Sequence, residues 1–341
     1  MTDGTHPGDG ADGGLRLAIR SLPPQAAVPA DRTGEASGAD AGARPPPARR
    51  RGLRFGWLDA VLLVLAAAGV GFFVWRTQTV LHYRWDWGSV WPWVIRIDPK
   101  TGAWTPNALL LGLATTLRLA IWGILLAAII GAVMGWARTS KRLLPRLIST
   151  TYVMLIRNIP PIVFVFVFVF FLTSQILPSL GIADRVSRLP PEAQSIIAVL
   201  FGPPRQVENF VVGLICLSVF TGAYVTEIVR AGLESVPRAQ VEAGDSLGLS
   251  RLDVLRFVVF PQALRNVLPP LASQFIQMIK DSSLVSLVSV QELTFVAQDI
   301  QIATQKVFEV LLFVGLIYFV LCWSLSLAFG AMERRAVRVR G

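Results

Sequence analysis

Six long apolar runs constrain the fold of this chain more than any other feature of its sequence. A helix needs about 20 mostly apolar residues to cross the hydrocarbon core of a bilayer. Runs of roughly that length lie at 58–75, 108–136, 147–172, 207–231, 265–290 and 307–331. Only 16% of the residues are charged and the mean hydropathy is +0.55, whereas soluble domains carry about 25% charge. We therefore predict an all-α, polytopic membrane bundle of about six spans.

Basic residues beside these runs predict the orientation of the chain, because cytoplasmic loops carry an excess of Lys and Arg. The clusters are Arg49, Arg50, Arg51 and Arg54; Arg138, Lys141, Arg142 and Arg146; Arg238, Arg251, Arg256 and Arg265; and Arg334, Arg335, Arg338 and Arg340. They place both termini in the cytoplasm. The segment 76–106 is predicted to lie outside although it holds Arg76, Arg84, Arg96 and Lys100, and this is the weakest point of the assignment.

Several segments lie outside the apolar runs. Residues 1–48 are rich in Gly, Ala, Pro and Asp, a composition that predicts a disordered tail. Residues 49–106 hold the first run and a loop with Trp85, Trp87, Trp91, Trp93 and Trp104. Tryptophan favours the headgroup region, so this loop is interpreted as an interfacial anchor, or alternatively as a docking surface for an external partner.

Paired prolines in 173–206 predict an external loop with a short surface helix, and 333–341 form a basic cytoplasmic tail.

The net charge of +10 is explained by the basic span ends and gives no reason to expect nucleic-acid binding, since no basic soluble domain is present.

The two cysteines fall inside apolar runs and the two histidines are isolated. We therefore expect no metal site and no cofactor bound by this chain.

The polar stretch Glu234–Asn266, called the polar loop below, separates the fourth and fifth runs. Ser235 and Pro237 are typical of a helix start. Glu234 and Arg238 have the spacing of an i,i+4 ion pair. Ala239, Ala243 and Leu247 share one helix face, and Gly248 is typical of a helix end in the left-handed conformation.

A second short helix is predicted after this glycine. Ser250 is a candidate N-cap, with Asp253 three residues later. Leu252, Leu255 and Val259 would face one way, and Pro261 is expected to end the helix. Because helix–helix connections usually need only about 2–8 residues, two structured helices indicate a docking element for a cytoplasmic partner rather than a mere connection.

This stretch resembles the cytoplasmic loop of ABC-importer permeases, whose pattern is E-A-A, three residues, G, nine residues, I-x-L-P. Glu242, Ala243 and Gly244 stand at E-A-A, Gly248 follows at the kept spacing, and Val258, Phe260 and Pro261 complete the pattern. The departures are Gly244 for Ala, Val258 for Ile and Phe260 for Leu, all small or apolar.

The residues 151–161, 220–244 and 267–294 resemble the polar amino-acid uptake branch of these permeases. The acidic residue often found three positions before the Arg of that branch is Met154 here, which puts a substrate contact at that position in doubt. The resemblance covers about 107–332 and implies a five-span permease domain, with one extra N-terminal span before it. The extra span and the Trp-rich loop resemble, more weakly, the longer permeases of general amino-acid systems.

The resemblance also implies partners and a location. The chain would lie in a bacterial inner membrane, pair with a second permease, identical or homologous, and receive an amino acid from an external binding protein. ATPase subunits would dock on the cytoplasmic loop and use the ATP. No G-x-x-x-x-G-K-[ST] motif occurs in this sequence, so the chain itself is not expected to be an enzyme.

Ionisable residues inside spans are costly and usually functional. The candidate substrate pathway consists of Arg157, Asn158, Pro160, Tyr224, Glu227, Lys280, Asp281, Ser282 and Ser283. Arg157 is expected deep in its span, about 16 Å from Arg146 at 1.5 Å per residue, with a helix break at Pro160. Lys280 and Asp281, about 22 Å beyond Arg265 by the same rise, are expected at a similar depth on another span. These charges are interpreted either as a site for a zwitterion or as structural pairs, Arg157 with Glu227 and Lys280 with Asp281.

Three other functions were weighed. An ion-coupled secondary transporter would show inverted repeats, which are not evident in this sequence. An intramembrane enzyme would need a nucleophile or metal motif such as H-E-x-x-H, and none occurs. A purely structural subunit of a larger membrane complex stays open at this stage.

Overall fold

The computed structural model describes residues 56–79, 83–172, 175 and 181–338. The predicted disordered tail and the basic cluster at 49–54 lie outside these residues. The contacts divide the chain into two units, one ending at Arg76 and the other beginning at Thr77. Helix α1, Trp57–Thr79, begins in the first unit and ends three residues past its boundary, and its stretch Trp57–Arg76 is long and apolar enough to cross a membrane.

The second unit is a helical assembly with one small hairpin. Its elements are α2 Trp91–Val94, β1 Ile95–Ile97, β2 Trp104–Pro106, α3 Ala108–Thr139, α4 Leu143–Asn158, α5 Pro161–Phe171, α6 Ile182–Ser187, α7 Pro191–Phe201, α8 Val207–Glu234, α9 Arg238–Ser246, α10 Arg251–Asp253, α11 Phe260–Asp281, α12 Leu293–Thr304 and α13 Val307–Arg338. The two strands pair antiparallel, with Arg96 opposite Thr105. The all-α, polytopic prediction is confirmed.

The prediction of about six spans is not confirmed by helix length and composition alone. Within the described ranges, four helices are long and apolar enough to cross a membrane, namely α1, α3, α8 and α13. Helices α4 and α5 together make a fifth candidate, but they are bent by 114° at the break after Asn158. Proline at the first turn of α5 lacks the N–H that would continue α4, so the helix break predicted at Pro160 is present.

The predicted span 265–290 is not one apolar helix. Helix α11 ends at Asp281, a 3₁₀ segment covers Ser282–Val288, and Ser289 has the left-handed backbone angle φ = 64°. Too many of its residues are polar for it to count as an apolar span, because one face of α11 carries polar side chains described below. Counting apolar residues along the sequence missed this two-sided character.

Close approach of α3 and α8 organises the second unit. A Cβ at Gly131 of α3 would stand 2.7 Å from Val225 Cβ, and one at Gly135 would stand 2.8 Å from Val229 Cβ. On the α8 side, a Cβ at Gly222 would lie 2.9 Å from Ile130 Cγ2 of α3. Membrane helices gain packing energy where small residues let their backbones approach. The glycines therefore set how closely α3 and α8 can pack.

The Trp-rich segment packs against the start of α13. The Glu309 carboxylate is fully buried; one oxygen accepts the Asp86 N–H at 2.8 Å, and the other accepts the Tyr83 hydroxyl. Burial, and then the hydrogen bond to Glu309, raise the pKa of Tyr83 to about 12. The hydroxyl is therefore protonated at neutral pH and donates to the carboxylate. The segment thus belongs by contact to the second unit, although the sequence grouped it with the first span.

The five tryptophans of this segment have different surroundings. Trp85 and Trp93 are half-buried, and Trp85 stacks on Trp87 with ring centroids 5.7 Å apart. Trp87, Trp91 and Trp104 are exposed. The interfacial-anchor interpretation stays a prediction and concerns these three exposed side chains.

We predict that Gly131→Ala lowers the thermal stability of the purified protein, whereas Gly315→Ala does not. A methyl group at Gly131 must displace Val225, and such overpacking costs about 1–3 kcal/mol. No described atom lies within 4 Å of a Cβ at Gly315 in α13, and alanine favours a helix over glycine by about 0.5–1 kcal/mol. Differential scanning fluorimetry of both variants measures the difference, and equal unfolding temperatures would contradict the packing argument.

Candidate functional site

The first part of the polar loop ends in a hydrogen-bonded turn at Gly248. The N–H of Leu249 donates to the carbonyl of Gly244 at 3.2 Å, and the N–H of Gly248 donates to that of Asp245 at 3.0 Å. These two bonds form a Schellman motif, in which Gly248 has φ = 76°. The predicted glycine turn between two helices is confirmed.

The second part begins as predicted and continues further than predicted. The Ser250 hydroxyl accepts the Asp253 N–H at 3.2 Å and caps α10. The chain then passes through a π-helical segment, Val254–Val259, directly into α11. Pro261 does not end the helix, so that expectation was wrong. The wider π turn leaves room before the proline, and at the first turn of α11 its missing N–H costs little.

The start of the polar loop also differs from the prediction. Helix α8 extends to Glu234, so Ser235 is its C-cap and not the N-cap of α9. Pro237 precedes α9 as its N-cap. Glu234 pairs with Arg230 one turn earlier and not with Arg238, because both partners lie on the same continuous helix.

Packing fixes the two halves of the loop against each other. A Cβ at Gly244 would stand 3.0 Å from Val254 Cγ2, so the small residue at this position lets α9 lie on the π segment. The side-chain amide of Gln262 donates to Gln240 Oε1 at 2.5 Å. The loop is therefore a defined platform, with both of its ends tied to α11.

Apolar side chains remain exposed on this platform. The exposed fractions are 82% for Leu247, 75% for Leu252, 64% for Phe257 and 56% for Phe260. We call these four residues the docking patch. Ala239, Ala243 and Glu242 are also exposed, whereas Val258 is half-buried. Leu252 and Phe260 also line a common shallow pocket, and large apolar side chains left exposed on a polar loop are typical of an interaction surface.

A second cluster surrounds the Glu227 carboxylate on α8. Arg138 Nη1 lies 2.6 Å from Glu227 Oε1 and forms an ion pair with it. The N–H groups of Arg138 Nη1 are not oriented for a hydrogen bond to that oxygen. Arg230 Nε donates to Oε2 at 2.7 Å. Arg157 Nη1 lies 3.8 Å from Oε1, and its guanidinium stands 5.3 Å from the centre of the Tyr224 ring. The predicted neighbours Arg157, Tyr224 and Glu227 are thus brought together.

The sequence did not indicate that Arg138 and Arg230 join this cluster. Arg138 belongs to the last turn of α3 and had been assigned only to a cytoplasmic loop. Its contact with Glu227 also shows that Arg157 lies level with the end of α3. The charge of Arg157 was expected deep in its span, whereas the guanidinium lies beside Glu227 and Arg138 at the end of α3. The bend between α4 and α5 follows Arg157 and does not set this position.

The remaining candidates are dispersed. Asn158 donates to the Met154 carbonyl at 2.7 Å, and Pro160 caps α5. Asp281 accepts a hydrogen bond from Gln277 at 2.8 Å. Ser282 and Ser283 donate to carbonyls three residues earlier in the chain. Among the described side chains no ion pair within 4.0 Å joins Lys280 to Asp281, so the predicted structural pair is absent.

The Glu227 cluster and Lys280–Asp281 lie at different depths. Met278 and Leu214 both approach the Cβ position of Gly123, at 2.6 Å and 3.9 Å, so Met278 is level with Leu214. Leu214 and Glu227 are thirteen residues apart on α8, or about 20 Å. The expectation of a common depth was therefore wrong.

One face of α11 is polar and exposed. Asn266, Ser273, Gln277 and Lys280 recur at helical spacing along it, together with Pro270. Ala263, Val267, Met278 and Ile279 are buried on the other side. Polar side chains in a membrane helix face protein or a watery cavity rather than lipid. We call the exposed residues Asn266, Pro270, Ser273, Gln277 and Lys280 the polar face of α11.

Residues 123–338 match the family described as binding-protein-dependent transport system inner membrane component. The chain belongs to this family. It is therefore a multi-pass inner-membrane permease, a non-enzymatic subunit that works with a separate ATPase and a substrate-binding protein. Family membership confirms the resemblance found in the polar loop and does not favour an ion-coupled secondary transporter.

Similar proteins and a similar solved structure each cover about two thirds or more of this chain. The chain is 34% identical over 227 residues to the "Probable glutamine ABC transporter permease protein GlnP" of Bacillus subtilis (strain 168), covering 66% of this chain and 91% of that protein. It is 29% identical over 252 residues to the "Glutamine transport system permease protein GlnP" of Escherichia coli (strain K12), covering 74% and 98%. A structure titled "Crystal structure of an amino acid ABC transporter with histidines" is similar with a TM-score of 0.53 and 29% identity, covering 67% and 94%.

Gly248→Val is expected to abolish uptake in cells while the protein still reaches the membrane. A β-branched residue at φ = 76° is strained by about 1–2 kcal/mol, and relief of that strain would open the Schellman turn. Gly248→Asn is the matched control, because Asn tolerates the left-handed region, and it should retain most uptake. Uptake is measured per permease in the membrane fraction, and normal uptake by the valine variant would contradict a coupling role for this turn.

Proposed function

We propose that the chain is the permease subunit of an ATP-driven, binding-protein-dependent amino-acid importer, with the polar loop as the docking site of the ATPase. The observation that carries the proposal is a rigid two-helix loop that exposes four large apolar side chains. The resemblance of the loop to the E-A-A pattern supports this assignment, and the names of the relatives support an amino acid as substrate.

The docking patch suits a folded protein partner. A connection between α8 and α11 would not need a Schellman turn, a capped second helix and two glutamines that hold its halves together. Such pre-organisation reduces the entropy lost when a partner binds. Basic residues cluster around the patch, so we propose that it faces the cytoplasm, in line with the positive-inside rule.

The polar face of α11 supports a pathway formed with a second permease, identical or homologous. Side chains such as Asn266 and Gln277 would be costly in lipid. They are satisfied if this face lines a watery passage or meets the same face of a second subunit. Because each permease would contribute one such helix, the translocation pathway would lie between the two subunits.

The Glu227 cluster supports recognition of an anionic group. Three guanidiniums, Arg138, Arg157 and Arg230, are shared by two carboxylates, Glu227 and Glu234, which leaves one positive charge uncompensated. Arg157 is the best candidate to bear it, because it has the longest contact and a side chain that is 44% exposed. We propose that Arg157 meets the carboxylate of the amino acid.

A single amino acid cannot bridge Arg157 and Asp281 across a separation of about 20 Å along α8. We therefore assign Lys280, Asp281, Ser282 and Ser283 to a separate point on the pathway. Asn158 and Pro160 serve the first site by ending α4 beside Arg157. A predicted structural pair between Arg157 and Glu227 is compatible with this role, because Glu227 keeps two nearer partners when Arg157 turns to a ligand.

Leu247→Asp should prevent stable copurification of the ATPase without reducing the amount of permease in the membrane. Leu247 is 82% exposed, so the change removes little packing from the free permease but places a charge in the proposed interface. Leu189→Asp, on an exposed position between α6 and α7, is the control and should leave copurification unchanged. Equal ATPase recovery with both variants would show that the docking patch faces something else.

Arg157→Gln should reduce amino-acid uptake at least tenfold and leave ATPase docking intact. The change removes the uncompensated charge, and a contact to a charged ligand is worth about 1.5–3 kcal/mol. Arg146→Gln on the same helix is the control. Uptake is normalised to assembled complex. A fall in assembled complex with unchanged uptake per complex would instead assign Arg157 a purely structural role and leave the importer assignment untouched.

A further inference from the structure

A groove of about 530 Å³ lies between α11 and α13. Its walls are mostly apolar: Leu268, Pro269, Ala272 and Ile276 from α11, and Phe329 and Met332 from α13. Arg265 and Glu333 stand at one end. Neither the docking patch nor the Glu227 cluster includes any lining residue of the groove. Ser273 of the polar face of α11 also lines it, so the groove borders that face.

The charged end of the groove is basic. Arg334 folds back toward the groove, because its Nη1 lies 3.5 Å from the Cβ position of Gly330, which lines the groove. Arg335 follows on the same helix. Within the described part of the chain no ion pair involves Arg265, Arg334 or Glu333. Two guanidiniums, Arg265 and Arg334, therefore stand near one carboxylate, Glu333, and one positive charge is left in excess at this end of the groove.

The shape of the groove matches a long apolar chain with a head group. Arg265 and Ile276 are eleven residues apart on α11, which corresponds to about 16 Å along the helix. The apolar walls continue from the basic end toward the interior of the span. This basic end is also the side of the membrane predicted to be cytoplasmic, where basic groups meet anionic headgroups.

We propose that this groove binds one anionic phospholipid. One acyl chain would lie along Leu268, Ala272 and Ile276, and the phosphate would accept hydrogen bonds from Arg265 and Arg334. Guanidinium groups present paired donors to phosphate oxygens. The inference does not depend on which solute the permease transports.

A second copy of the permease fits this groove less well than a lipid. A two-fold interface brings a surface patch against itself. Such an interface here would place Arg265 and Arg334 near the same residues of the other copy, and like charges in an interface are unfavourable. A phospholipid instead supplies the opposite charge and the apolar chain in one molecule.

The test measures lipid binding to the purified, assembled transporter by native mass spectrometry. Delipidated complex is titrated with phosphatidylglycerol and, separately, with phosphatidylcholine. We expect saturable binding of phosphatidylglycerol and at least tenfold weaker binding of phosphatidylcholine. The double variant Arg265→Gln/Arg334→Gln should weaken phosphatidylglycerol binding at least tenfold. Arg142→Gln, an exposed basic position on the connection between α3 and α4, is the control and should bind like the wild type.

A second measurement uses the unaltered transporter, so that it does not depend on the folding of a variant. Phosphatidylglycerol with a photoactivatable group on one acyl chain is cross-linked to the complex, and labelled peptides are identified. Labelling concentrated on the peptides of α11 and α13 supports the proposal. Labelling spread evenly over the outer helices would overturn it, as would equal lipid affinity in the double variant and the Arg142→Gln control.

The alternative occupant has its own readout. In a Cys216→Ser/Cys322→Ser background, Ala272→Cys is oxidised in membranes. Absence of a cross-linked permease dimer agrees with a lipid in the groove. A dimer formed through this cysteine would show that a second permease fills the groove and would refute the lipid site.

Discussion

The contact between α3 and α8 is the constraint on which the rest of the second unit depends. Gly131 and Gly135 on one helix and Gly222 on the other allow backbones to approach where any side chain would interfere. In a bilayer the hydrophobic effect gives helices no reason to associate, so close packing and polar contacts must hold them. The same approach brings the last turn of α3 beside Glu227 of α8. The Glu227 cluster is therefore a product of the glycine packing.

From Glu227 the charged residues of α8 lead directly to the polar loop. Arg230 contacts Glu227 and Glu234, and Glu234 is the last residue of the helix. The next residue, Ser235, accepts a hydrogen bond from Asn266 of α11 at 2.7 Å. The proposed substrate site and the proposed docking loop thus share one rigid helix, and the loop is tied at both ends to helices of the pathway. A displacement of α8 at Glu227 could not leave the docking patch in place.

The sequence predicted best where local chemistry decides the conformation. Gly248 and Ser250 act within one turn of their own positions, and both were predicted correctly. Pro261 was misjudged because a π segment upstream, which no local pattern indicated, accommodates it. The position of Arg157 depends on how α4 packs against α8, and the recruitment of Arg138 depends on which face of α3 meets α8. Both positions are set by packing between segments far apart in the sequence. The spacing of residues within one segment cannot predict such packing.

Helix α11 explains why hydropathy was the least reliable guide here. It has three different environments around its circumference: a buried side against α8, the polar face with Asn266 and Gln277, and the apolar wall of the groove with α13. A helix whose sides face protein, a passage and lipid needs a different composition for each. A hydropathy average merges these compositions, so 265–290 was predicted as one apolar span although one side of the helix is polar. A polar side chain within a membrane needs protein or water as a hydrogen-bonding partner. The polar residues of α11 are therefore strong evidence of a functional surface, whereas its apolar residues are weaker evidence that the helix crosses the membrane.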